Sequence, residues 1–197
     1  MTQPASDEVL MAAYQAGNRT AFTELYDRHG SSVYGFLVRR VGNRALADDL
    51  FQEVFLRVHR ARHTYDSGRP FRAWLFGIVH NLLIDSLRDR ERTPRALNLD
   101  DAEAPGAGDV GVDPAPPCAT PEETASARET ARALGRAVRA LPPDEATVLV
   151  LARIEGLSYE DIALVIGRSA AATKQLAYRA LKRVRAEVAA AAHGERS

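Results

Sequence analysis

The sequence predicts an all-α protein built as two small helical domains joined by a flexible acidic linker. Three observations predict it. Apolar residues recur at helical spacing in both flanking parts, no stretch alternates apolar and polar residues as a half-buried strand would, and a proline-rich tract without aromatics lies between. The divisions expected are 1–95 for the first domain, 96–122 for the linker and 123–197 for the second.

Ser6 is placed to cap a first helix that runs to about Ala16 and stops at Gly17. A second is predicted from about Thr20 to Val41, with Phe22, Leu25, Tyr26, Val33, Phe36 and Leu37 at helical spacing and an irregularity at Gly30 to Ser32. A third follows Gly42-Asn43 and reaches about His63, burying Leu46, Leu50, Phe51, Val54, Phe55 and Val58. Asp66-Ser67-Gly68-Arg69 reads as a loop, and Pro70 suits the first turn of a fourth helix that extends to about Arg92. Phe71, Trp74, Leu75, Ile78, Val79 and Leu82 form its core stripe.

From Ala104 to Pro121 there are five prolines and no aromatic. Such a tract buries too little apolar surface to offset chain entropy, which is why it reads as a linker. Helices are predicted again at about 123 to 140 and 143 to 155, followed by a helix-turn-helix. In that last unit Ser158 caps a short helix, with Asp161 three residues on as a weaker capping box, and Gly167 fits the left-handed closing position. Ser169 caps the next helix, whose Thr173, Leu176, Ala177, Ala180, Leu181 and Val184 would face inward. The opposite face carries Ala171, Lys174, Gln175, Tyr178, Arg179, Lys182 and Arg183. No acidic residue occurs from Ile162 to Ala186, whereas six basic ones do. A capped helical pair with a glycine turn and a one-signed face is the footprint of duplex DNA binding.

Hydrophobic residues make up 46% of the chain, which excludes global disorder. No apolar run approaches the ~18 residues of a membrane helix, and the first residues lack the basic-then-apolar layout of a signal peptide. Residence in the cytoplasm, without direct membrane insertion, is the expectation. The lone cysteine, Cys118, cannot form an internal disulfide. The net charge of zero conceals segregation: 14 basic and 11 acidic residues in 1–95, seven acids and no base in 96–123, and 12 bases with eight acids in 124–197. Two mildly basic parts therefore flank an acidic strap, and local fields rather than net charge decide what binds.

Two further surfaces stand out. The third helix should present Asp48, Asp49, Gln52, Glu53, Leu56, Arg57 and Arg60 to solvent, either as a solvated face or as a docking face for a basic helix. The fourth gathers Arg72, His80, Asn81, Asp85 and Arg88 near Tyr65, Phe71, Trp74 and Phe76. Aromatics beside cations and an amide are what an unpaired base requires, although most of these aromatics must be core. His59 and His63 have the i, i+4 spacing of a zinc pair but lack the accompanying glutamate and a third ligand, so no metal site is expected.

Asp48-Asp49-Leu50-Phe51-Gln52-Glu53-Val54-Phe55-Leu56, Phe71-Arg72-Ala73-Trp74-Leu75-Phe76-Gly77-Ile78-Val79-His80-Asn81 and Gly156-Leu157-Ser158-Tyr159-Glu160-Asp161-Ile162-Ala163 together resemble the bacterial extracytoplasmic-function sigma factors, the smallest class of the housekeeping sigma family, carrying regions two and four only. The resemblance implies a dissociable RNA polymerase subunit that confers promoter recognition and DNA opening. It implies no enzymatic activity, cofactor or small-molecule substrate. By the same resemblance Asp48, Asp49, Gln52, Glu53 and Leu56 dock on the clamp helices of the largest catalytic polymerase subunit. The loop from Thr64, with Asp66 and Arg69, and the start of the fourth helix look like the minus-10 reader. Asn81 matches a position lining a flipped-base pocket, and Arg72, His80, Asp85 and Arg88 are its neighbours. The helix from Ala170 looks like the minus-35 reader, with Arg168, Ser169, Lys174, Gln175, Tyr178, Arg179 and Lys182 as contacts. The acidic linker resembles the segment threaded through the RNA exit path, and an anti-sigma factor is implied as a further partner.

One departure from the family pattern is the run Thr173, Lys174, Gln175, Leu176, Ala177. Leu176 either removes a DNA contact or takes over a core place lost at Ala177. Two rival classes fit parts of the sequence. A DNA recombinase would need an N-terminal α/β domain with an activated serine or tyrosine, and no strands are evident. A helix-turn-helix regulator acting without polymerase would bind duplex DNA unaided.

Overall fold

In the computed structural model, residues 4–92 and 131–194 are described. The predicted linker, Cys118 and the predicted helical stretch 123–130 lie outside them. Among the described residues the chain is all-helical: α1 (Asp7–Gln15), α2 (Arg19–Val41), α3 (Arg44–Ala61), a single 3-10 turn at Arg62–Thr64, α4 (Phe71–Arg92), α5 over 131–139, α6 (Pro143–Arg153), α7 (Tyr159–Ile166) and α8 (Ala170–Gly194).

Local chemistry sets the helix ends. The Ser6 hydroxyl accepts from Val9 N at 3.3 Å, Asn18 Oδ1 from Thr20 N at 3.0 Å and Asn43 Oδ1 from Leu46 N at 2.9 Å. Each satisfies an amide that has no partner within its own helix. Gly42, at φ 68°, closes α2 in the left-handed region. The expected irregularity at Gly30 to Ser32 is absent: α2 is continuous, and Gly30 is where Phe51 of α3 crosses, with its Cζ 3.6 Å from the place of a Cβ. The third helix ends at Ala61 rather than His63, its last turn tightening to 3-10. Pro70 lies just outside α4 and its carbonyl accepts from Trp74 N at 3.3 Å. The first amide of α4, Phe71 N, donates to Glu8 Oε1 of α1 at 3.0 Å, and this bond holds the Glu8 carboxyl below its ordinary range.

Helices α1–α4 surround a core of Met11, Leu25, Val33, Phe36, Leu37, Val54, Val58, Phe71, Leu75, Phe76, Val79 and Leu83, all nearly or fully buried. Trp74 and Ile78, expected in the stripe of α4, are only partly buried, while Ala73, Phe76 and Leu83 take core places. Leu46, Phe51 and Phe55 of α3 are likewise partly buried; at the rim Phe51 meets Phe55 and Tyr26 edge-on, and Phe55 lies tilted against Tyr26.

The C-terminal module has a smaller cluster of its own, Ala137, Leu141, Ala146, Leu149, Ala180 and Val184. Its other apolar side does not face water. Val148, Val150, Leu151, Leu157, Ile162, Val165 and Leu176 join the core of α1–α4 in one continuous cluster, with α7 laid along α4. Burial at this density makes single truncations costly. Phe36→Ala is expected to lower the free energy of unfolding by about 3–5 kcal/mol, read from urea denaturation of the whole chain.

Candidate nucleic-acid and partner interfaces

The helix-turn-helix forms as its residues require. The Ser158 hydroxyl accepts from Asp161 N at 3.0 Å and donates to Asp161 Oδ2 at 2.8 Å, a variant of the capping box in which the carboxylate takes the hydroxyl proton. Gly167, at φ 65°, ends α7, and Ser169 Oγ accepts from Ala172 N at 3.2 Å to start α8. Thr173, Leu176, Ala180 and Val184 are buried, with Ala177 and Leu181 partly so, as the periodicity predicts. Leu176 sits in the core beside Ile162 and Val165, so the departure at this position is a repacking that leaves the small Ala177 beside it.

The outer face of α8 exposes Lys174, Gln175, Tyr178, Arg179 and Lys182, and Tyr178 is 71% exposed. Acids of the same module partly neutralise this face. Lys174 Nζ lies 3.6 Å from Glu160, and Arg179 Nε and Arg183 Nε lie 3.7 and 3.3 Å from the carboxylate of Glu145, a side chain only 5% exposed. Arg168 donates to Asp144 Oδ2 through Nη2 at 2.7 Å and Nε at 3.0 Å. These pairs orient the cations; on an exposed surface each contributes little to stability.

On α3 the predicted docking residues come together. Asp48, Asp49 and Gln52 are exposed, Leu56 is 50% exposed, and Glu53 is half-buried between Arg57 at 3.1 Å and Arg60 at 3.7 Å. The result is an acidic ridge with an apolar contact point. Asp85 of α4 joins its edge through Arg57 at 3.6 Å.

The loop before α4 is held from inside. The Tyr65 hydroxyl donates to the Arg69 carbonyl at 2.6 Å, burial pushes its pKa up to about 12, and its ring packs on Phe71 and Trp74. Asp66 Oδ1 accepts from Gly68 N at 2.9 Å, leaving Asp66 and Arg69 exposed at the tip. His59 hydrogen-bonds Tyr14 through Nδ1 at 2.5 Å.

The grouping expected on α4 is not what forms. Asn81, Asp85 and Arg88 share one exposed face, but Arg72 and His80 point elsewhere. At about 100° per residue, positions 72 and 81 fall on opposite sides of the helix. Arg72 Nη2 donates to the Glu155 carbonyl at 2.7 Å and lies 3.6 Å from its carboxylate. His80, 6% exposed, has Nδ1 3.2 Å from Thr147 Oγ1 and Nε2 3.7 Å from Asp144 Oδ1. His80 is therefore buried beneath the C-terminal module, and Arg72, its side chain still 38% exposed, is bonded to it. Glu155, Asp144, Thr147, Arg39 and Arg40 make this seam and were not singled out in the sequence. The signal was available, because Arg40 completes Val33, Phe36, Leu37 at helical spacing and His80 does the same within Phe76, Val79, Leu83.

A helical chain with a capped helix-turn-helix and a separate charged helical module belongs to the DNA-binding transcription proteins in class. Residues 25–93 match the family described as Sigma-70 region 2, and residues 131–184 that described as Sigma-70, region 4. The chain is 34% identical over 175 residues to RNA polymerase sigma factor CarQ of Myxococcus xanthus, covering 89% of this chain and 93% of that protein. It is 31% identical over 173 residues to the ECF RNA polymerase sigma-E factor of Haemophilus influenzae, covering 84% and 86%. The solved structure of CnrH in complex with the cytosolic domain of CnrY is similar at a TM-score of 0.67 and 28% identity, covering 94% of this chain and 99% of that one. The chain belongs to the extracytoplasmic-function sigma factors. The Haemophilus influenzae relative carries that class name rather than the housekeeping one.

The seam also predicts a pH response. Burial holds the His80 pKa below its ordinary 6.5; nearby Asp144 pulls it up and Arg40 pulls it down. The folded chain thus binds fewer protons here than the unfolded chain, so this contribution to stability is complete above 6.5 and falls away as the pH drops below it. Melting temperature should fall between about pH 7.5 and about pH 5.5, and His80→Gln, which keeps a hydrogen bond to Thr147 without a titrating ring, should flatten that fall.

Proposed function

We propose that this chain is a dissociable initiation subunit of RNA polymerase that docks on core enzyme, recognises minus-35 and minus-10 elements and promotes melting between them. One observation supports this reading above others: a single chain carries an acidic ridge with an exposed leucine on α3 and, on α8, a basic face aimed outward by a capped helix-turn-helix. A duplex-binding regulator has use for the second surface only.

In this reading Asp48, Asp49, Gln52, Glu53 and Leu56 meet the clamp helices of the largest catalytic subunit. Leu56 supplies apolar contact at the centre, while the acids steer a basic partner and fix its register. Lys174, Arg179 and Lys182 meet phosphates across the major groove, with Gln175 and Tyr178 placed for base edges. Arg168 and Ser169 lie at the N-terminus of α8, where free amides favour a phosphate. On region two, Asn81 offers an amide to a base taken out of the stack, and Asp66, Arg69, Asp85 and Arg88 surround the path of the unpaired strand. Extracting a base costs a few kcal/mol, and stacking returns about 1–3 kcal/mol per base. Duplex anchoring by region four and attachment to polymerase therefore have to act together with region two. Control by an anti-sigma factor fits the same reading: the solved relative CnrH is itself held by a cytosolic domain of another protein.

The direct test is transcription with purified bacterial core polymerase, with and without this chain, from DNA upstream of its own operon. A new, discrete start site that depends on the chain is expected; identical transcripts in both reactions would overturn the reading. A second test separates the two readers. Asn81→Ala should impair opening more than duplex capture, and a pre-melted template should rescue it. Arg179→Ala should weaken duplex capture, reducing the salt slope by about one if the contact is to phosphate. Permanganate footprinting on closed and pre-melted templates distinguishes the two, and equal rescue of both variants would contradict the division.

A further inference from the structure

Helix α1 precedes residues 25–93, the part matched to region 2, yet it holds both ends of the loop that leads into α4. The half-buried Gln15, last residue of α1, donates from Nε2 to the Arg62 carbonyl at 2.8 Å and to the Tyr65 carbonyl at 3.0 Å. These two bonds use both hydrogens of one amide nitrogen and satisfy carbonyls at the fraying end of α3 and its 3-10 turn. At the far end of the loop Glu8 Oε1 accepts from Phe71 N, the first amide of α4, at 3.0 Å. Glu8 and Gln15 stand about two turns apart on one helix, so a single face spans the loop from entry to exit. The helix is itself fixed. Asp7 takes Arg28 Nη1 at 3.0 Å and lies 2.7 Å from His29 Nε2, both on α2, while Met11 is fully buried and Tyr14 meets His59 of α3.

Between these anchors the loop buries little. Asp66 to Pro70 are exposed, and among residues 62–70 Tyr65 is the one buried side chain. Left free, each exposed residue would keep about 1–2 kcal/mol of backbone entropy that a ligand has to remove. Here the shape is already set: the Tyr65 hydroxyl reaches the Arg69 carbonyl, Arg69 N donates to the Asp66 carbonyl at 3.0 Å, and Gly68 N donates to Asp66 Oδ1. The bonds from Gln15 and Glu8 tie that shape to the bundle. A loop ordered beforehand meets an extruded base without a further ordering cost, and it presents one geometry against which the wrong base is rejected.

We propose that α1 is a strut that pre-orders the base-capturing loop, with Gln15 and Glu8 as positioning residues that set how sharply the captured base is discriminated. The proposal rests on the minus-10 reading of the loop given above. Neither side chain has to touch DNA: Gln15 acts through the carbonyls of Arg62 and Tyr65, and Glu8 through the first turn of α4.

The test uses the full chain in complex with core polymerase and abortive transcription from the DNA upstream of its own operon, with each of the four bases placed in turn at every minus-10 position. Gln15→Glu keeps the shape of the side chain but has no hydrogen to give either carbonyl. It is expected to lower the preference for the best base over the worst at the captured position about tenfold, while preferences in the minus-35 element stay as in the parent. Gln15→Lys returns donors at similar reach and should recover the preference to within about threefold of the parent. Glu8→Gln, which weakens the bond to Phe71 N at constant shape, should lower the same preference by about threefold. A purely structural part for these residues would lower transcription on all templates alike, in step with the melting temperature, and leave the preferences unchanged. That result in either folded variant, or a Gln15→Lys chain no better than Gln15→Glu, would overturn the strut. A parent chain that directs no transcription would instead overturn the sigma reading.

Discussion

The Glu155 carboxylate is the point on which the arrangement of the two modules turns. It follows α6 directly, beside Gly156 in the left-handed region at φ 66°, so the chain reverses there and α7 is sent back along α4. Arginines from two helices of region two and a serine hydroxyl converge on it. An unpaired carboxylate at that depth would cost several kcal/mol, so the modules dock only in the register that brings Arg39, Arg72 and Ser32 to it. The apolar cluster beneath supplies attraction without direction, and the charges supply direction with little net gain.

That division leaves the residues proposed for DNA in two conditions. Lys174, Gln175, Tyr178, Arg179 and Lys182 on α8, and Asn81, Asp85 and Arg88 on α4, remain exposed in the packed arrangement. Arg72, His80 and Arg168 do not remain unengaged: each is paired with an acid or a carbonyl of the C-terminal module. The packed arrangement therefore leaves the outer faces of α8 and α4 open while engaging the residues nearest the seam.

Much of this was legible in the sequence because it is local. Caps at Ser6, Ser158 and Ser169, the glycine stops at Gly17 and Gly167, and the inward stripe of α8 follow from rules that operate within a few residues. The ridge of Asp48, Asp49, Gln52 and Glu53 was equally readable, since spacing alone puts these residues on one side of a helix. What was lost is long-range. His80 was grouped with Asn81 because they are neighbours in sequence, yet about 100° of helical rotation sends one into the seam and the other to solvent. A polar residue on an apolar stripe, as at Arg40 and His80, marks a second layer packed above, but the stripe does not say which segment supplies it. Glu145 and Asp144 carry the same lesson from the other side: the one-signed face of α8 looked unopposed because its acids lie a helix and a half earlier in the chain.

The claim that binds these observations is that the two modules are docked in the free protein in the register that Glu155 sets. Spin labels at positions 44 and 139, on either side of the Gly42–Arg139 contact, report that docking directly by pulsed dipolar spectroscopy. The account predicts a short, narrow distance distribution for the free chain that broadens in Glu155→Ala. A long distance in the free chain, or a distribution that Glu155→Ala leaves unchanged, would contradict it.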